Sequence, residues 1–206
     1  MLLRIQPDES LRSYVERNLF LQGHNPALEI FRTTEFRYTY WRSKQVISIA
    51  NILAWHGCYG FNKLVHSHTD YPFRGVLKSK NSYSYSETEF VSESYYFDDL
   101  TIKRSYCPLC VKEDTRVRGY SYWRRINSRI TVCAKHNVNL LSNCQFCEKP
   151  FSRDGHAVHV MWSGCAGRSL GEAEHTVNTD SVELRLAQFF ERLCSLQHHI
   201  ESPLVS

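Results

Sequence analysis

The sequence predicts a mainly α-helical protein carrying small metal-bound modules, and three observations lead there. Residues 1–77 place apolar side chains at helical spacing between capping residues and glycines. From Cys107 onward the texture changes to short strand-like runs, turns and cysteines two residues apart. Residues 179–197 return to an amphipathic helical pattern. The expected order is a helix-turn-helix-like domain over 1–77 and a linker or surface loop over 78–102. A tandem finger or ribbon region over 103–170 and a helical segment over 171–206 follow.

Asp8 is placed to cap a first helix that ends near Gln22, with Leu11, Tyr14, Val15 and Leu19 on one face and Gly23 as its stop. Asn25-Pro26 opens a second, ending near Thr33-Thr34. Ser43 caps a third, in which Val46, Ile47, Ala50, Leu53 and Ala54 form the apolar stripe. A break over residues 56–60 separates it from a shorter fourth helix over residues 61–66, and Tyr71-Pro72 ends the helical section. Helix, glycine-bearing turn, helix is a helix-turn-helix outline. Its second helix offers only Asn62, Lys63 and His66 as polar contacts for DNA. Residues 78–89 are polar and serine-rich and read as the linker. In the last helix Val182, Leu184, Leu186, Phe189, Phe190 and Leu193 lie largely on one side. Spare apolar helix faces are often satisfied across a two-fold axis, so a homodimer is expected.

Cys107-Pro-Leu-Cys110 is followed after 22 residues by Cys133-Ala-Lys-His136. Two residues between ligands let a tight knuckle wrap one ion, and two knuckles close a tetrahedron of the kind that holds structural Zn2+. Four protein ligands leave no open position for a reacting water. Cys144-Gln-Phe-Cys147 begins a second such site, with Cys165 its natural third ligand. The fourth is His159 or His156, His159 being slightly preferred and His175 more distant; a decayed site around Phe151, Val158, Val160 and Trp162 is the competing reading. His56, Cys58, His66 and His68 lack a knuckle and read as core or surface residues; Cys58 and Cys194 read as small buried hydrophobes.

Lys and Arg crowd into residues 103–135: Lys103, Arg104, Lys112, Arg116, Arg118, Arg124, Arg125, Arg129 and Lys135 face only Glu113 and Asp114. Interleaved Tyr106, Tyr120, Tyr122 and Trp123 make the block suited to a polyanion, or equally to a solvated face over a small core; Trp123 itself reads as core. Arg116, Arg118, Arg124, Arg125 and Arg129 are the candidate nucleic-acid or partner contacts. No phosphate-binding loop, nucleophile elbow or metalloprotease motif occurs, so no enzyme is expected. The amino terminus is broken by Arg4 and Pro7 and no apolar run reaches membrane-spanning length, so a cytoplasmic protein is expected.

Taken together, the motifs resemble the TniQ family. Asp8-Glu-Ser-Leu-Arg-Ser13 looks like its amino-terminal "E-S-L-x-S" segment, and His68-Thr-Asp-Tyr-Pro72 is close to the "H-T-x-x-P" segment of the related TnsD proteins. Tyr106-Cys-Pro-Leu-Cys110, Tyr122-Trp-Arg124, Val132-Cys-Ala-Lys-His136 and Leu140-Leu-x-x-Cys144-x-x-Cys147 resemble its cysteine-rich signature nearly position for position. One departure is that Cys165 stands alone where two-finger members carry a further pair. The resemblance implies a non-enzymatic adaptor that marks a transposition target and recruits a TnsC-like AAA+ ATPase, which brings the transposase. Because no large sequence-reading domain follows, it points to the members that ride, often as dimers, on a CRISPR effector with guide RNA, meeting target DNA directly or through the effector. The alternative is a stand-alone zinc-finger and helix-turn-helix regulator of transcription.

Overall fold

A computed structural model describes residues 2–23, 25–74, 77–78, 96–97, 102–125, 127–152, 154–196 and 200–201. The protein is mainly helical, and its cysteine-rich half is built from turns around two Cys/His clusters.

Helices α1 (Leu11–Gln22), α2 (Glu29–Arg37), α3 (Ser43–Ile52) and α4 (Gly57–His68) form the first half. They close over Leu11, Tyr14, Phe31, Trp41, Ile49, Phe61 and Leu64, all essentially inaccessible. The capping residue of α1 is Ser10, not Asp8: the Ser10 side chain accepts from the Ser13 amide at 3.2 Å, while Asp8 takes a left-handed φ of 58° two residues earlier. Pro26 opens a 3₁₀ turn, Pro26–Leu28, and α2 follows it and runs on to Arg37, beyond the expected end. Arg42 rather than Ser43 is the residue before α3, whose first turn is closed by the Gln45 side chain accepting from the Arg42 amide at 3.0 Å.

The expected break at residues 56–60 is helical from Gly57. The turn instead lies over Leu53–His56, and Gly60 lets α4 pack against it. A Cβ on Gly60 would stand 2.5 Å from the Trp55 carbonyl oxygen. Asn62 and His66 are buried on α4, leaving Lys63 alone of the three expected polar contacts near the surface, over the rings of Trp55 and Tyr59.

Most of the stretch read as linker lies outside the described residues. Phe97, within it, is fully buried in the helical core, where its amide and carbonyl both bond to Trp41, at 2.7 and 2.9 Å. The helical unit therefore draws on a residue beyond the 77 boundary.

Residues 107 onward hold a helix where strand-like runs were expected. α5 (Pro108–Arg118) starts with proline in its first turn and ends at Gly119 with a left-handed φ of 81°, whose amide bonds to the Thr115 carbonyl. The short α6 (Val160–Ser163) and a 3₁₀ turn, Leu170–Glu172, complete a second core of Tyr106, Trp123, Phe151, Val160, Met161 and Leu170.

Asp180 caps α7 (Ser181–Ser195), accepting from Val182 N at 2.7 Å. Its apolar side does not wait for a second copy: Ala187, Phe190 and Cys194 pack within the chain on Phe73, Ile130, Ala134 and Leu140. Phe190 meets Phe73 edge-on at 5.2 Å. Val182 and Phe189, expected on the same side, are 61% and 44% exposed. Strands β1 (Leu77–Lys78) and β2 (Ile200–Glu201) form a two-residue parallel pair. Among the described residues no helix is long and apolar enough to cross a membrane.

Candidate metal centres and the joint beside them

Cys107, Cys110, Cys133 and His136 bring one ligand atom each to within 4.8 Å of one another. Cys107 sits just ahead of α5 and Cys110 in its first turn, so helix formation itself presents both sulfurs to one side. Cys133 and His136 come from a tight turn in which Asn137 takes a left-handed φ of 50° and its amide bonds to the Cys133 carbonyl at 2.9 Å. The His136 amide also points at the Cys133 sulfur, 3.4 Å away.

His136 Nδ1 lies 3.5, 3.3 and 3.6 Å from the sulfurs of Cys107, Cys110 and Cys133, and Cys110 Sγ is 3.7 Å from Cys133 Sγ. A tetrahedral Zn2+ with ordinary Zn–S and Zn–N bonds requires ligand edges of about 3.5–3.8 Å, and these four edges lie close to that range. His136 turns its other nitrogen, Nε2, toward Glu113 at 3.6 Å, the outward partner that orients a ligating imidazole. Lys135 also pairs with Glu113.

Hydrogen bonds from the Cys107 and Cys110 thiols hold Cys133 far below the usual thiol range, while the bonds that Cys110 makes with Cys107 and with Cys133 push it far above. A cation among three sulfurs this close would let all three ionise.

The second cluster is Cys144, Cys147, His156 and Cys165. Its first knuckle repeats the geometry of the Cys133 turn, with Glu148 in the left-handed position at φ 62° and its amide on the Cys144 carbonyl at 2.8 Å. Cys165 stands at a tight hairpin over Ala166 and Gly167, both with positive φ, where Cys165 and Arg168 exchange two backbone bonds. Arg168 occupies the place of a further ligand and lies instead over the Phe146 ring, 3.9 Å from its centroid.

The histidine of this cluster is His156; His159 is not in it. His156 Nε2 is 2.8 Å from Cys147 Sγ, a thiol–imidazole hydrogen bond that coordination would open to about 3.5 Å. The chain reaches this point because it folds back on Pro150: the His156 amide bonds to the Pro150 carbonyl at 2.8 Å. Gly155 permits the approach, since a Cβ there would fall 1.9 Å from that carbonyl oxygen. His159, just ahead of α6, stacks on Phe20 of α1 at 5.7 Å instead. His175 is exposed and outside the cluster.

Of the five expected binding arginines, Arg124 and Arg118 converge on the buried carboxylate of Asp114, Arg124 with bonds of 2.8 and 3.1 Å. Arg125 pairs with Asp8 at 2.7 Å, its own side chain only 8% exposed. These three are structural ties. Arg116 and Arg129 are exposed, as is Arg118 despite its ion pair.

A feature that motif spacing alone does not reveal is that three distant segments meet in one joint. The Glu9 carboxylate receives Arg17 through two bonds of 2.9 Å, both side chains being buried. The Glu9 carbonyl accepts from His68 Nδ1 at 2.8 Å. Ser10 N donates to the Trp123 carbonyl at 2.8 Å, and the Trp123 amide donates to Ser13 Oγ at 3.1 Å. Trp123 then sends its side chain the other way, donating from Nε1 to the Val158 carbonyl at 2.7 Å and packing on Tyr106 and Phe151. One residue thus ties the helical unit to the core beside the second cluster.

A helical unit locked through such a joint onto paired Cys/His clusters defines the architectural class. Residues 1–140 match the family model described as TniQ, and the chain belongs to the TniQ family. It is a transposition-associated protein of an accessory family. The match takes in the four helices, the joint and the first cluster; the second cluster and α7 lie beyond it. No curated protein matches the chain in sequence.

Proposed function

We propose that the chain is a non-enzymatic target-selection adaptor of transposition. It links a target-recognition complex, an RNA-guided CRISPR effector, to an AAA+ regulator ATPase and through it to the transposase. The supporting observation is the buried joint of Glu9, His68 and Trp123. It holds two surfaces in fixed relation, which a scaffold between two partners needs. The buried Asn62 and His66 favour this reading over a stand-alone regulator, because they leave α4 little with which to read base edges. Sequence recognition then belongs to the effector's base pairing.

Each Cys/His cluster holds one structural Zn2+ in this reading, supplying folding energy and no reaction chemistry. The adaptor works in the cytoplasm as a homodimer. Since α7 is satisfied within the chain, the contact uses α1, where Phe20 and Leu21 are 51% and 60% exposed. Arg116 and Arg129, exposed, serve partner or nucleic-acid contact.

Affinity capture of the tagged chain, co-expressed with a TnsC-like ATPase and an RNA-guided effector, tests the proposal. Recovery of both supports it. Tight, sequence-specific binding to an operator by the isolated chain, with neither partner recovered, would assign it to transcriptional regulation instead.

A further inference from the structure

A pocket of about 70 Å3 opens at the joint, where the start of α1 and the end of α4 meet the segments around residues 103–105 and 124–128. Its walls carry five cations, Arg74, Lys103, Arg104, Arg124 and Arg125, and one carboxylate, Asp70. Asp70 is already engaged: Arg74 holds it with bonds of 2.7 and 2.9 Å, and Asn127 Nδ2 donates to it at 3.2 Å. Arg124 is matched by Asp114 and Arg125 by Asp8. Asp70, Asp114 and Asp8 thus each hold one of these arginines. Lys103 is exposed and has no carboxylate partner among the described residues. Ser105 and Ser128 line the same space.

We infer that this pocket binds a backbone phosphate of a nucleic acid. Like charges gathered at one point repel unless an anion enters, and serines beside them suit an oxyanion. At 10–15 Å3 for each water-sized occupant, the volume takes about five heavy atoms, the size of one tetrahedral phosphate and too small for a base. A polymer of phosphates is favoured over one phosphorylated side chain because the positive surface continues past the pocket. Arg129, exposed, follows the pocket-lining Ser128, and residues 103–135 hold nine Lys and Arg against two acids. Such a contact sets the position of the protein on the strand and carries no sequence information. It differs from the arginine set expected from sequence, since Lys103, Arg104 and Arg74 come to the fore. It is independent of the adaptor reading, because a regulator would use the same contact.

The test is fluorescence anisotropy of the full chain with a labelled duplex DNA, repeated over a range of salt concentrations. Lys103→Ala should weaken binding several-fold and reduce the slope of log affinity against log salt by about one. Lys103→Arg should restore both. Arg192→Ala, the same charge change in the last turn of α7, should leave the slope unaltered. Equal slopes for Lys103→Ala and Arg192→Ala, or no salt-dependent binding by the unmodified chain, would overturn the inference. Lys103-dependent binding of a singly phosphorylated peptide with no such dependence for duplex would assign the pocket to a phosphoprotein and overturn it likewise.

Discussion

His68, in the last turn of α4, donates from Nδ1 to the Glu9 carbonyl oxygen at 2.8 Å, tying the end of the helical section to the residue ahead of the α1 cap. A carbonyl only accepts, so Nδ1 carries the proton. Burial brings the His68 pKa down to about 4, against the opposing pull of that hydrogen bond. Arg125 lowers it further and Asp8 raises it. His68 is therefore neutral in the native protein.

The unfolded chain takes up a proton at this histidine near pH 6.5, whereas the folded one does so only near pH 4. Its contribution to stability is complete above pH 6.5 and is lost as pH falls toward 4, by up to roughly 3 kcal/mol. Urea unfolding of the protein and of His68→Gln across that range is the measurement. The stability difference between them should shrink on acidification; a difference constant with pH would remove His68 from the account.

Arg17→Ala strands the Glu9 carboxylate in a buried site, and stability should fall by about 3–5 kcal/mol. The double change Glu9→Gln with Arg17→Ala should cost clearly less than the sum of the two single changes. Additive losses in chemical denaturation would show that the pair acts as two separate residues.

Much of this was legible in the sequence, and each part that was not has a physical cause. The knuckle spacing of Cys107, Cys110, Cys133 and His136 implied the first cluster because each pair is local. The ends of α5 were also signalled, by Pro108 and Gly119, but its polar interior hid the helix between them. The choice of His156 over His159 depends on how the chain folds back on Pro150, which needs the missing Cβ of Gly155. The joint was illegible for another reason: Glu9, His68 and Trp123 are brought together across long separations, and no periodicity marks a hydrogen bond between them. The apolar stripe of α7 was readable as a stripe, but whether its cover came from within the chain was decided by Phe73 and Ile130.

Elemental analysis of protein purified without chelator should give two equivalents of zinc per chain. His156→Ala should lose one, and His159→Ala should keep both. Cys110→Ser should lose the other and unfold its module, because structural zinc supplies folding free energy on the order of 10 kcal/mol. Retention of two equivalents by His156→Ala would return the second site to a different fourth ligand.

Charge reversal separates structural from exposed arginines. Arg124→Glu sets two carboxylates against each other beside Asp114, which is 2% exposed, and should lower the melting temperature by several degrees. Arg116→Glu, on an exposed position of α5, should leave it within about a degree. Thermal unfolding followed by circular dichroism checks both. Equal melting temperatures would mean that the Asp114 pairs contribute nothing to folding.

Bridging tests the central claim most directly. With the effector immobilised and the ATPase in solution, the amount of ATPase retained is measured by surface resonance with and without the chain. The account predicts retention only when the chain is present, and its loss with a chain whose joint is broken by Arg17→Ala. Equal retention of the ATPase with the chain left out would contradict it.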